Sequence, residues 1–83
     1  MNVLVVGSGS AGLQHMKVLG LMPEVFPVAL PVRPERIEKL QAAGFTTVRS
    51  FSEAQRKDIT HCVVATDSGR HVQDAIKALD MGC

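Results

Sequence analysis

An α/β fold, a doubly wound parallel sheet with helices on both faces, is what this chain of 83 residues predicts. Three observations lead there. Short apolar runs rich in β-branched residues recur at 3–6, 25–30, 45–48 and 59–66. Segments with apolar residues at helical spacing separate them, and strands alternating with helices imply right-handed crossovers onto a parallel sheet. The first run is continuously apolar rather than alternating, which fits a strand covered on both faces.

Taken in order, residues 3–6 form the first strand, closed by Gly7. Over 11–21, Leu13, Met16, Val18, Leu19 and Leu21 recur among the polar Gln14, His15 and Lys17, a helical pattern that Pro23 ends. The run 25–30 is the second strand, although Pro27 has no N–H to give a ladder. Pro34 suits the first position of the next helix. Ile37, Leu40 and Ala43 give that helix a buried stripe, Glu35 and Lys39 lie one turn apart, and Gly44 fits the position just past its end. Residues 45–48 make a short third strand, and Ser52 with Gln55 has the spacing of a capping box opening a brief helical turn. The run 59–66 is the most strand-like of the chain. Over 68–81, Val72, Ala75, Ile76 and Leu79 fall at i, i+3, i+4 and i+7, with Gly82 just beyond. The order is therefore βαβαβαβα, with no internal repeat, low-complexity segment or linker.

Bulk properties narrow the function. A chain this short makes one small domain with a thin stability margin. Aromatic residues are 4% of the chain, with no Trp or Tyr, which argues against a single-stranded nucleic-acid platform built on base stacking. Nine basic and eight acidic side chains leave a net charge of +1, too little field to recruit nucleic acid or a membrane. Cys62 lies in an apolar run and Cys83 is the last residue, so the pair reads as a small buried thiol and a terminal one, not a disulfide or a metal site. The apolar run at the N-terminus stops at Gly7, unlike a signal peptide, and nothing approaches the ~20 apolar residues of a membrane span. The chain reads as cytoplasmic.

The stretch "VLVVGSGSAGLQH" carries the chemistry. Gly7, Gly9 and Gly12 stand between the first strand and the first helix. In that setting Gly7 makes the tight turn, Gly9 leaves room for a pyrophosphate against the backbone, and Gly12 lets the helix pack close to the strand. Loop N–H groups and the positive end of the helix then face the anion. Alone, G-x-G-x-x-G is a weak pattern; inside a βαβ unit of ~30 residues it is far more specific. A mononucleotide P-loop fits less well, because Leu13 follows Gly12 where that loop needs Lys. The expected architecture is thus a partial Rossmann-like sheet, strand order 3-2-1-4.

A dinucleotide site usually adds an acid at the end of the second strand to bind the ribose hydroxyls. Here the chain reads "LPVRPER", with Pro31 where an Asp would stand and Arg33 and Arg36 following. Two readings of the arginines are open: a solvated helix start, or contacts to a ribose 2′-phosphate. The second makes NAD(P) the cofactor, leaning to NADP.

Two stretches resemble the Gfo/Idh/MocA oxidoreductases, relatives of glucose–fructose oxidoreductase and inositol dehydrogenase. "VVGSGSAGLQH" is similar to that family's opening, with His15 three residues past the last glycine. "VVATDSGRHVQDAIKALDMGC" resembles its fourth strand and helix, where Ala-Thr-Pro is followed by a spacer and His, then Ala-Leu and Gly. The resemblance implies that Gly7, Gly9, Ser10, Ala11 and Gly12 line the diphosphate, and that Arg33 and Arg36 lie by the adenosine. It places Thr66, Asp67, Ser68 and His71 near the nicotinamide, with Asp67 departing from the family's Pro. For His71 a surface position in the first helical turn is equally open, and for His15 simple packing.

In that family the Glu-Lys-Pro motif with the catalytic Lys, and a substrate domain, follow the last segment matched here. The resemblance therefore implies that residues 1–83 are the first part of a dinucleotide-binding domain, with no catalytic residue of their own and no dehydrogenase activity in isolation. The parent would move hydride between nicotinamide and a sugar, cyclitol or related small hydroxy compound. A non-catalytic domain that senses a dinucleotide is the rival. The fourth strand of the isolated 83-residue chain, left as an edge without Pro or Lys, leads us to expect self-association or else marginal stability.

Overall fold

A computed structural model describes residues 1–7, 9–66 and 69–82, with Ser10 described by its backbone alone. The elements are β1 (Asn2–Val6), α1 (Ser10–Gly20), β2 (Phe26–Leu30), α2 (Arg36–Ala42), β3 (Thr46–Thr47), α3 (Phe51–Gln55), β4 (Ile59–Val64) and α4 (His71–Asp80). All strand pairs are parallel and the spatial order is β3-β2-β1-β4. This is the Rossmann-like arrangement expected from the sequence. The chain runs outward from β1 to β3, then crosses back so that β4 joins the other side of β1.

Side-chain alternation along β1 divides the core in two. Leu4 and Val6 pack with Val28, Leu30, Val48, Ala54 and Ile59 on the face that carries α3, with Met81 at the end of α4 against it. Val5 points the other way, to Ala29, Met16 of α1 and Leu40 of α2. Both faces of the central strand are dry, as its unbroken apolar sequence requires.

Pro27 is accommodated by the shortness of β3. Phe26 donates its N–H to the Met1 carbonyl on the β1 side, so the next nitrogen faces the β3 side. There β3 pairs only with Val28 and Ala29, and Pro27 meets no acceptor that it would fail to satisfy. Gly44 takes φ +90° just beyond α2. Its N–H donates to the Gln41 carbonyl and that of Phe45 to Leu40, a Schellman closure.

Several details differ from the sequence expectation. Pro34 sits in a turn before α2, and Ala43 is exposed, leaving Ile37 and Leu40 as the buried stripe. The cap of α3 lies two residues early: the Ser50 hydroxyl accepts the Glu53 N–H, while the Glu53 carboxylate accepts the Arg49 N–H. Strand β3 has two residues, although Val48 still donates to the Ala29 carbonyl. Helix α4 begins at His71 (residue 68, where the sequence pattern starts it, lies outside the described residues), and its stripe faces outward. Val72, Ile76 and Leu79 are 73%, 53% and 68% exposed, while Asp74 and Ala78 turn inward. Among the described residues no helix is long and apolar enough to cross a membrane.

Candidate functional site

The parallel sheet points its carboxyl ends at one rim, where β1 gives way to the glycine turn. Gly7 has φ +98°, a conformation that L side chains rarely adopt. A Cβ there would lie 2.8 Å from the Ala65 carbonyl oxygen of the turn after β4, so the turn and its neighbour are pressed together. The Gly7 N–H donates to Leu30 at the end of β2. A Cβ on Gly12 would overlap the Gly7 carbonyl oxygen, because α1 lies directly on the turn. Both glycines are thus required by the protein's own packing.

Gly9 differs. A Cβ at this position would have nothing within 4 Å, and its φ of −66° suits any residue. It caps α1 through its carbonyl, which accepts the Leu13 N–H. The first-turn N–H groups of an 11-residue helix have no carbonyl partner within it, and no acidic residue lies in that turn. The rim beside Gly9 is therefore open and electropositive.

A cavity of about 200 Å³ lies there, lined by Gly7, Gly9, Val32, Arg33, Arg36, Ala65, Thr66 and Arg70. It brings together five residues singled out from the sequence: Gly7 and Gly9 of the turn, Arg33 and Arg36 after β2, and Thr66 after β4. Gly12 is buried beneath them, and Ala11 is exposed on the first turn of α1. His71 is exposed as the first residue of α4 and does not line this cavity. Asp67, Ser68 and the Ser10 side chain lie outside the described residues. His15 is exposed on α1.

The β4–α4 connection holds two groups that sequence reasoning missed. Asp74, in the first turn of α4, has no exposed surface. Its Oδ2 accepts a 2.9 Å hydrogen bond from the Thr66 hydroxyl and lies 3.6 Å from Arg70 Nε. Thr66 thus spends its proton inward, on Asp74. Asp74 Oδ1 and Arg70 Nε are buried without a hydrogen-bond partner among the described residues. In sequence, Arg70 and Asp74 are an ordinary i, i+4 ion pair of the kind that covers a solvated helix face. Nothing in their spacing announces burial.

Arg70 also lines a second cavity, of about 440 Å³, that opens on the α3 and α4 side of the rim. Pro31 and Val32 after β2, Ser50 and Phe51 at α3, and Asp74 and Lys77 of α4 contribute to its wall. Lys77 Nζ stands 5.6 Å from the centre of the Phe51 ring, within cation–π range. Among the described residues no group of three or more His, Cys, Asp or Glu side chains could hold a metal ion.

The comparisons with known proteins bear on the fold. No protein-family model matches the chain, and no curated protein matches it. Among solved structures it is similar to an NAD-binding protein from Listeria innocua, with a TM-score of 0.78 and 20% sequence identity over 98% of this chain. The chain spans 25% of that protein's length. At this identity the likeness establishes a shared Rossmann-like fold.

Proposed function

We propose that the rim cavity binds a nicotinamide dinucleotide, NAD(P), and that the chain is the cofactor-binding part of an oxidoreductase of the Gfo/Idh/MocA kind. The observation that carries the reading is Gly9. Its two companions answer to the protein's own packing, whereas its missing side chain leaves only the open cavity empty. A diphosphate against that backbone accounts for a glycine the fold does not need. The Listeria protein of similar fold is described as NAD-binding, which agrees.

In this reading the diphosphate lies on Gly7, Gly9, Ser10, Ala11 and Gly12, and the adenosine half runs toward Arg33 and Arg36. The nicotinamide half lies toward Thr66, Asp67, Ser68 and His71. The bound cofactor would supply hydride chemistry; the residues of this chain bind and orient it. In the parent, the hydride partner is a hydroxyl carbon of a sugar, cyclitol or related small molecule.

Calorimetric titration with NADH and NADPH tests the proposal, with Gly9→Ala as the informative variant. Thermal stability should fall only modestly, because the new methyl meets open space and the loss is confined to the preference for glycine over alanine at the cap of α1. Dinucleotide affinity should fall about tenfold or more, since the methyl occupies the diphosphate's place. Undiminished affinity in Gly9→Ala, or no binding by the parent, would remove the reading. Tighter binding of NADPH than NADH is expected from Arg33 and Arg36; the reverse order would reduce them to a solvated helix start.

A further inference from the structure

We infer that Arg70 is a phosphate-binding arginine of the rim cavity, aimed from behind by Asp74 and Thr66. The inference rests on the dinucleotide reading and deepens it. Arg70 and Val32 are the two residues that line both rim cavities, so the guanidinium stands on the divide between them. On the smaller side it joins Gly7, Gly9, Arg33 and Arg36, and the described residues lining that cavity include no acid. An anion is the ligand that such a wall suits.

Behind Arg70 the arrangement is unusual for a mere surface pair. Its partner carboxyl group is entirely buried, and the Arg70 side chain is 39% exposed. Thr66 secures Asp74 Oδ2 at 2.9 Å, tying the carboxyl group to the end of β4. Arg70 Nε is 3.6 Å away, beyond hydrogen-bond range, and among the described residues neither Nε nor Asp74 Oδ1 has a hydrogen-bond partner. A buried polar pair left half-satisfied is costly, and a water, an ion or a ligand is what ordinarily completes one. A small shift of the guanidinium would engage Asp74 through one edge. A planar fork with five donors then keeps N–H groups for a phosphate on its other edge. Asp74 is a positioning residue here, acting through Arg70.

The shared ligand chemistry is a phosphate oxygen, which the diphosphate or a ribose 2′-phosphate can supply. The test measures the dissociation constants of NADH and NADPH for the protein and for Arg70→Ala, Arg70→Lys, Asp74→Asn and the Arg70→Ala/Asp74→Asn double variant. Circular dichroism confirms folding, and the half-exposed Arg70 position keeps the test open should Asp74→Asn fail to fold. Arg70→Ala should weaken binding about ten- to hundredfold, with Arg70→Lys in between. Equal losses for both cofactors assign Arg70 to the diphosphate, and a loss confined to NADPH assigns it to the 2′-phosphate; either supports the inference. Asp74→Asn should weaken binding alone yet add nothing once Arg70 is gone, a non-additivity that a purely structural role would not give. If the parent binds dinucleotide and Arg70→Ala binds it equally well, the inference is overturned while the dinucleotide reading stands. If the parent binds neither cofactor, both fall.

Discussion

Gly12→Ala is expected to cost this protein a large part of its stability, about 3 kcal/mol. The added methyl would overlap the carbonyl oxygen of Gly7, which is backbone and cannot swing aside. Gly7 in turn is held by its N–H bond to Leu30 and by the turn after β4, so the only relief is to lift α1 off the sheet. Lifting α1 exposes Met16, which is fully buried against Val5 and Ala29. A chain of this size commands roughly 4–12 kcal/mol in total. Urea denaturation should show a markedly lower midpoint with a similar slope. A midpoint within experimental error of the parent would mean that α1 can retreat without loss. Gly9→Ala is the internal control, because its methyl meets nothing.

These two glycines show how far the sequence could be read. Their spacing behind an apolar strand predicts the turn and the helix start that the structure has, and the parallel order 3-2-1-4 is the one expected from the alternation of elements. Gly7 at the turn and Gly12 at the close helix contact match their expected roles, while a Cβ at Gly9, the position expected to leave room for a pyrophosphate, would meet nothing within 4 Å. Local signals fared less well where two candidates competed. Ser50 and Ser52 both precede acceptors at capping distance, and Ser50 prevails because Glu53 can also reach the Arg49 N–H.

Helix α4 shows a different limit of local patterns. Periodicity identifies an apolar stripe but not which neighbour covers it. The spacing of Val72, Ile76 and Leu79 marks such a stripe, whereas the inward positions are Asp74 and Ala78. Small Ala78 permits close approach to the sheet, and Asp74 goes inward because Thr66 offers it a hydroxyl. A buried carboxyl group satisfied by a residue eight positions away leaves no local trace. The same blindness hid Arg70, whose place on the divide between two cavities exists only once β2 and β4 are brought to one rim.

The outward stripe leads to the second large effect, concentration-dependent self-association. Strand β4 pairs only with β1, so along its other side the backbone N–H and C=O groups have no ladder partner among the described strands. Beside that edge runs a groove of about 350 Å³ between β4 and α4, with Cys62, Val64, Ala75 and Leu79 in its wall. Val72 and Ile76 extend the apolar surface along α4. No Pro or Lys interrupts β4, the devices that ordinarily keep such an edge from pairing. For the 83-residue chain by itself we expect a second copy to cover this surface. Two β4 edges meeting antiparallel about a two-fold axis would satisfy each other's backbone and bring the two α4 stripes together in one self-complementary contact. Sedimentation equilibrium should therefore show mass rising with concentration, and the melting temperature should rise with it. Ile76→Glu combined with Leu79→Lys should return the chain to a monomer, since charges at the centre of the apolar contact would be desolvated there. These positions are exposed, so the variant should still fold. A parent that stays monomeric, with a melting point independent of concentration, would show that the β4 edge does not pair with its own copy.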